Sequence, residues 1–442
     1  MPPTKHSSPI VRAGARQRAL AIAAAAGRVA SLLVAALFAA VPAGADLIVP
    51  MDLDQTDHLR AYGLAYHCLE RGQTVLWLLN YRGGSFLLEE SEFGRREAAR
   101  LGVKVEALSE GRRASIFQTI EESNMERVVL EKAPRVAIYS PPNAQPWDDA
   151  VMLALEYAEI GHDVVYDEEV LSGRLADYDW LHLHHEDFTG QYGKFSAGYG
   201  QQAWYQRQKR LFEQKATAAG FASVSEHKKA VARAIRAYVE RGGFLFAMCS
   251  ATDTIDIALA AEGVDIVTTE FDGDPPESGF QERLDYARGF CFEDFALIPN
   301  PNVYEFSDID ATQTAFQRGQ ANDYFTLFDF SAKFDPVPAM LVQDHVAVVA
   351  GFMGQTTSFY RRFLKEHVIV LGEVEGTDEV RYVHGKRGQG TFTFLGGHDP
   401  EDWTHRVGDP PTDLSLHVHS PGYRLILNNV LFPAAEKKER KT

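Results

Sequence analysis

Apolar positions along the chain follow two rhythms that take turns. Short apolar runs bounded by Gly, Pro, Asn or Asp read as buried strands, whereas stretches with apolar residues three or four apart read as amphipathic helices. Residues 47–51, 74–79 and 103–105 are of the first kind. Between them, 56–71 carries the stripe Leu59, Tyr62, Gly63, Tyr66 and Leu69, and 91–101 keeps the helical period. This order predicts a small parallel α/β unit over 46–130. Its polar loops, Asp52 to Gln55 with His58 and Asn80 to Ser85, stand just past strand ends. Parallel sheets bind ligands there, and Asn, Gly and Ser serve plain turn chemistry there equally well.

After a charged, partly helical connection at 111–133, a second α/β series begins with the strand 135–139. Its loop ends at Trp147, which either lines a pocket or staples its own helix, and Asp148 and Asp149 cap a helix running to Ile160. A strand at 164–166 leads to the run from Asp179 to Asp187. There Leu181 and Leu183 share one face, His182 and His184 share the other, and His185, Glu186 and Asp187 spill over the end. So dense a titratable cluster admits a metal site, a pocket lining without metal, or a hydrogen-bonded structural group. Residues 190–224, rich in Gly, Gln, Tyr and Phe, predict an insertion over the sheet edge, of the kind that forms lids.

Helix 225–241 then delivers the chain to Gly242-Gly243, the apolar run 244–248, Cys249 and a helix continuing over 254–261. Strand, sharp turn and helix start place Cys249 where unpaired helix N–H groups favour a thiolate or an oxyanion, with Asp253 in the first turn. The acidic, aromatic stretch 270–335 is broken by Asp272-Gly273-Asp274-Pro275-Pro276 and is expected to decorate the core as loops. Sheet-like patterns return at 345–350, 368–374 and 380–384. A β-rich run ending in Gly396-Gly397 presents His398, with Asp399 and Glu401 close enough to orient it. A helix at 423–431 closes this second domain, 134–433, before a tail at 434–442 expected to be disordered.

Composition adds a compartment and excludes partners. Across 442 residues, 45% apolar and 24% charged positions are ordinary for a globular chain. Residues 1–45 differ: they hold Lys5, Arg12, Arg16, Arg18 and Arg28, no acid, the apolar run 29–40 and Ala43-Gly44-Ala45. This is the layout of a secretory signal peptide cleaved before Asp46, which predicts a periplasmic or secreted protein. Arg28 leaves too short a run for the roughly 20 residues of a membrane span, so no stable anchor is expected. Losing those five cations moves the net charge from -17 to -22, which argues against nucleic acid and anionic lipid as partners. Three cysteines, Cys68, Cys249 and Cys291, are too few for a disulfide framework. With neither a Walker loop nor a dinucleotide fingerprint, no nucleotide cofactor is expected.

Two stretches together carry a family likeness. Arg-Ala-Tyr-Val-Glu-Arg-Gly-Gly-Phe-Leu-Phe before Cys249, and Gly-Gln-Gly-Thr-Phe-Thr-Phe-Leu-Gly-Gly-His-Asp-Pro-Glu-Asp-Trp around His398, resemble the class I glutamine amidotransferase-like superfamily. The likeness is nearest to its trehalose-utilisation-type branch and covers about residues 134–433. It implies a doubly wound, mostly parallel sheet of flavodoxin-like kind, with Cys249 as nucleophile, His398 as base and Glu401 or Asp399 as the orienting acid. The whole chain also resembles exported bacterial proteins labelled asparagine synthetase B. It has neither the amino-terminal Cys nor the Ser-Gly-Gly-x-Asp-Ser loop of the synthetases.

Three functions follow as expectations. The first is a Cys-dependent hydrolase or amidase built on Cys249, His398 and Glu401. A second is a protein binding a small polar or carbohydrate-like ligand through Trp147, Tyr192, Trp403 and a polar set of His184, His185, Glu186, Asp187, Asp253 and Asp399. The third is a metal site on His184, His185, His398 and an acid.

Overall fold

Five short strands near the N-terminus, β1 (Leu47–Val49), β2 (Val75–Leu79), β3 (Ser85–Leu88), β4 (Glu106–Ala107) and β5 (Glu126–Leu130), form a sheet in the order β4-β1-β3-β2-β5. The computed structural model describes residues 46–143 and 145–436, so the expected signal segment and the tail beyond Glu436 lie outside the described residues. Every pair in this sheet is antiparallel, which corrects the expected parallel unit. The cause is local. Asn80 at φ 63, Arg82 at φ 47 and two positive-φ glycines reverse the chain within one turn, so 80–85 joins a hairpin instead of opening a ligand loop. Arg82 then ties that turn to the other predicted loop, bonding Asp52 at 2.6 Å and Glu106 at 2.9 Å.

The second sheet takes the rest of the chain: β6 (Val136–Tyr139), β7 (Asp163–Val165), β8 (Trp180–Leu183), β9 (Phe244–Met248), β10 (Tyr324–Leu327), β11 (Val348–Ala350), β12 (Phe359–Tyr360), β13 (Ile369–Glu373), β14 (Glu379–Arg387) and β15 (Gly390–Leu395). Its order is β11-β10-β13-β14-β15-β9-β8-β6-β7, with β12 paired to β14. The strands β7-β6-β8-β9-β15 run parallel and the half beyond β15 is antiparallel, giving a mixed α/β fold. Among the described residues no helix is long and apolar enough to cross a membrane.

Side-chain alternation sorts this sheet's two faces into two cores. Val136, Ile138, Trp180, Phe244 and Phe246 face a core shared with Leu47, Trp77 and Phe86 of the first sheet and with the helices His58–Glu70 and Pro421–Leu431. Ala137, Leu181, Leu183, Leu245 and Ala247 face a second core built with the helices Val224–Glu240 and Ala251–Ala260. Burial on both faces is what parallel strands require, and it explains their continuous apolar runs.

Two expected decorations are structural. Residues 190–224 fold mainly into the helix Ala203–Ala218. Within 270–335, β10 joins the sheet, and buried Asp256 accepts the N–H groups of Phe290, Cys291 and Phe292 at 2.6 to 2.8 Å. Residues 434–436, expected in the tail, lie along β5, where Ala435 pairs with Leu130 and Glu436 N–H donates to Val129 O. All three cysteines are free and buried.

At Gly63 the helix His58–Glu70 packs tightly against the second α/β series: a Cβ there would lie 2.0 Å from the Ala158 carbonyl oxygen. Gly63→Ala is therefore expected to lower unfolding free energy by about 1–3 kcal/mol, read as an earlier urea midpoint at unchanged slope.

Candidate functional site

Parallel register brings the C-terminal ends of β8, β9 and β15 level: Leu183 stands beside Ala247, and Met248 beside Leu395. The chain leaves β9 at Cys249, whose φ of 49° is a left-handed conformation that L-residues rarely hold. Cys249 N–H donates to Gly397 O at 3.1 Å and Ala251 N–H to His184 O at 3.1 Å, so the three strand ends are laced together. The thiol accepts from Gln355 N–H at 3.2 Å. Burial nevertheless pushes it up to about 11, against the backbone N–H groups of Gln355, Ser250 and Thr356. Helix N–H groups expected to serve an oxyanion are partly spent, that of Ala251 on His184 O and that of Thr252 on Cys249 O.

The histidines gather on the face that alternation assigned them. His182 bonds Phe246 O through Nδ1 at 3.1 Å and His184 Nδ1 through Nε2 at 3.2 Å. Asp149, capping the helix Ala150–Tyr157, lies 3.5 Å from both rings. Burial works against its charge, but His184 and His182 hold its carboxyl well below the usual carboxylate range. An ionised Asp149 against Nδ1 turns the Nε2 of His184 outward. That Nε2, both ring nitrogens of His185 and Nδ1 of His398 are buried without partners. The three rings converge: His398 is 4.4 Å from His184 and 6.0 Å from His185 between centroids, and ligand atoms from all three lie within 4.8 Å of one another. Burial, helped by the neighbouring imidazoles, lowers His184 to about 4, His185 to about 3 and His398 well below its ordinary value.

His405 completes the group, stacked on His398 at 4.4 Å with the planes 4° apart. Its nitrogens stand 2.8 Å from Asp148 and 3.2 Å from Asp402. Burial opposes its charge, but Asp148 and Asp402 outweigh it and raise His405 above the ordinary imidazole value. Neither acid expected to orient His398 does so. Glu401 faces His417 at 3.0 Å, because Asp399 folds its own loop by accepting Glu401 N–H at 2.9 Å and Thr412 Oγ1 at 2.6 Å.

Other predicted residues divide in the same way. Glu186 accepts His184 N–H at 3.1 Å, and burial with the nearby Asp149 pushes it up to about 8. Asp187 holds the Thr189 and Gly193 N–H groups, and Asp253 accepts Thr356 Oγ1 at 3.0 Å while burial raises it to about 7. These three brace loops. Trp403 bonds Asp323 at 3.2 Å, and Tyr192 stacks on Phe212. Trp147, His185, Cys249 and His398 instead line one cavity of about 310 Å³. Sequence reasoning missed its remaining wall, which comes from Phe195, Tyr304, the helix residues Thr312, Gln313 and Phe316, Met353 to Gln355 and the 404–407 loop. The only available signal was the second histidine seven residues after His398.

No family model and no curated protein matches the chain. Among solved structures, two Salmonella typhimurium proteins described as cytoplasmic are similar at 10% and 12% identity, over 69% and 68% of this chain and 100% of theirs, with TM-scores of 0.33 and 0.34. A GH42 beta-galactosidase is similar at 11% identity over 61% of this chain and 28% of its own, with a TM-score of 0.27.

A thiol held near 11 is almost wholly protonated at neutral pH. Cys249 is expected to react with iodoacetamide far more slowly than free cysteine at pH 7, and to accelerate as pH rises towards 11, followed by mass spectrometry of the labelled peptide.

Proposed function

We propose that this chain is an exported metal-dependent enzyme whose centre is His184, His185 and His398, acting hydrolytically on a small polar molecule in the adjoining cavity. The observation that carries this reading is the convergence of three neutral imidazoles with buried, partnerless nitrogens. Three imidazole ligands are the donor set of catalytic zinc-type sites, which leave the next position to water or substrate. Such an ion, when bound, lowers the pKa of its water and supplies a nucleophile at neutral pH. The chain's own residues do the rest. Asp149 fixes the tautomer of His184, His405 with Asp148 holds the His398 ring flat, and Trp147, packed edge-on to His185 at 5.1 Å, shields the site from bulk water.

The finer fold assignment, a doubly wound glutamine amidotransferase-like sheet, is supported by the order β7-β6-β8-β9-β15 and by cores on both faces. In such sheets ligands bind beyond the strand ends where the order reverses, here between β6 and β8, next to Asp149 and His184. A second reading, the Cys-dependent amidase, is favoured by the left-handed Cys249 at the cavity wall. The export signal at 1–45 belongs to the same proposal, with maturation before Asp46.

Reconstituted protein is expected to retain about one zinc-class ion per chain by elemental analysis, and His184→Ala or His398→Ala to weaken retention by at least about 100-fold. Cys249→Ser should keep both metal and hydrolysis; lost hydrolysis with metal retained would establish the thiol reading instead. Metal-free protein carries a further signature. Unfolded histidines take up protons below about pH 6.5, while folded His184 stays neutral down to about 4. Stability is therefore expected to fall with falling pH across that window, by up to about 1.4 kcal/mol per pH unit per histidine.

A further inference from the structure

The chain carries 61 acidic residues, yet no Asp or Glu lines the cavity. Acids that touch wall residues are engaged outside the lining: Asp148 and Asp402 with the His405 ring, Glu305 with the Gln313 amide, Asp310 with Thr312 and Asp409 with the Arg406 N–H. The wall's formally charged side chain is cationic, Arg406, and His405 next to it turns its nitrogens towards Asp148 and Asp402. Arg406 is exposed at the rim and its guanidinium makes no hydrogen bond or ion pair among the described residues, while Asp409 anchors its backbone N–H at 2.8 Å. Much of the remaining wall is aromatic. Tyr304 and Phe316 keep 42% and 59% of their surface in solvent, an unusual exposure for rings that share one opening. Trp147 adds a buried indole N–H without an acceptor. The cavity thus offers donors and positive charge set among flat apolar surfaces, inside a protein of net charge -17.

We infer that the cavity takes a small organic carboxylate with a flat apolar body, its anionic end drawn to Arg406 and its body packed on Trp147, Tyr304 and Phe316. A guanidinium is the natural partner of a planar carboxylate, and the rings reward a ligand face with buried apolar area. The volume, about 310 Å³, suits a ligand at the small end of the usual range. This inference rests on the proposed use of the cavity as the ligand site, but not on the metal.

The test is calorimetric titration of the metal-free and zinc-loaded protein with benzoate and with its neutral counterpart benzamide. In metal-free protein benzoate is expected to bind about tenfold more tightly than benzamide. Arg406→Gln should erase that preference while leaving zinc affinity unchanged, and Phe316→Ala should weaken both probes. Equal affinities in the wild type, no benzoate binding, or a preference that survives Arg406→Gln would each overturn the inference. Protein that prefers benzoate but retains no metal overturns the metal reading alone. Protein that holds zinc without preferring benzoate overturns this inference alone.

Discussion

The site depends on parallel register between β8, β9 and β15. Because Leu183, Ala247 and Met248, and Leu395 stand level, each chain emerges from the sheet at the same height. The backbone bonds from Cys249 to Gly397 and from Ala251 to His184 are short-range consequences of that alignment. A shift of one residue in β8 would carry His182 and His184 to the face of Leu181 and Leu183, away from Asp149. Register is protected by the two cores, since such a shift would bury imidazoles among the aliphatic side chains of the other face.

Charge in this region is segregated by depth. His184 and His398 are buried and neutral, and Asp149 and Asp148 keep their carboxylates on the far side of the rings. His405, stacked on His398, faces two acids that raise its pKa, the opposite direction from the buried rings it lies against. Unpaired buried nitrogens are costly, and four at one point mean that the packing keeps open a place whose hydrogen-bonding capacity the chain itself does not fill.

Local pattern made part of this legible. Alternation along β8 correctly put His182 and His184 on one face, and the Gly-Gly turn, apolar run and Cys249 marked a strand running into a helix. Glu401 was misleading because sequence spacing says nothing of direction: an Asx-type turn at Asp399 swings it to His417. The first sheet was misjudged for a related reason, since positive φ at Asn80 and Arg82 makes a hairpin that hydrophobic period cannot reveal. Tyr304 and Gln355 were invisible as site residues because they sit on irregular segments whose placement is set by distant contacts, such as Gln355 with Gly193 and Tyr304, and Phe316 because it sits on a short helix, Thr312–Arg318, inside a stretch expected to be loops.

The three cysteines are unpaired and enclosed, so nothing in the fold waits on an oxidant. Folding is thereby uncoupled from the redox state of the compartment in which it occurs. A chain beginning at Asp46 and made in a reducing cytosol meets the same covalent requirements as one exported to the periplasm. What differs between those compartments is the supply of free metal, so for the proposed histidine centre the expression host becomes a choice about which ion is on offer.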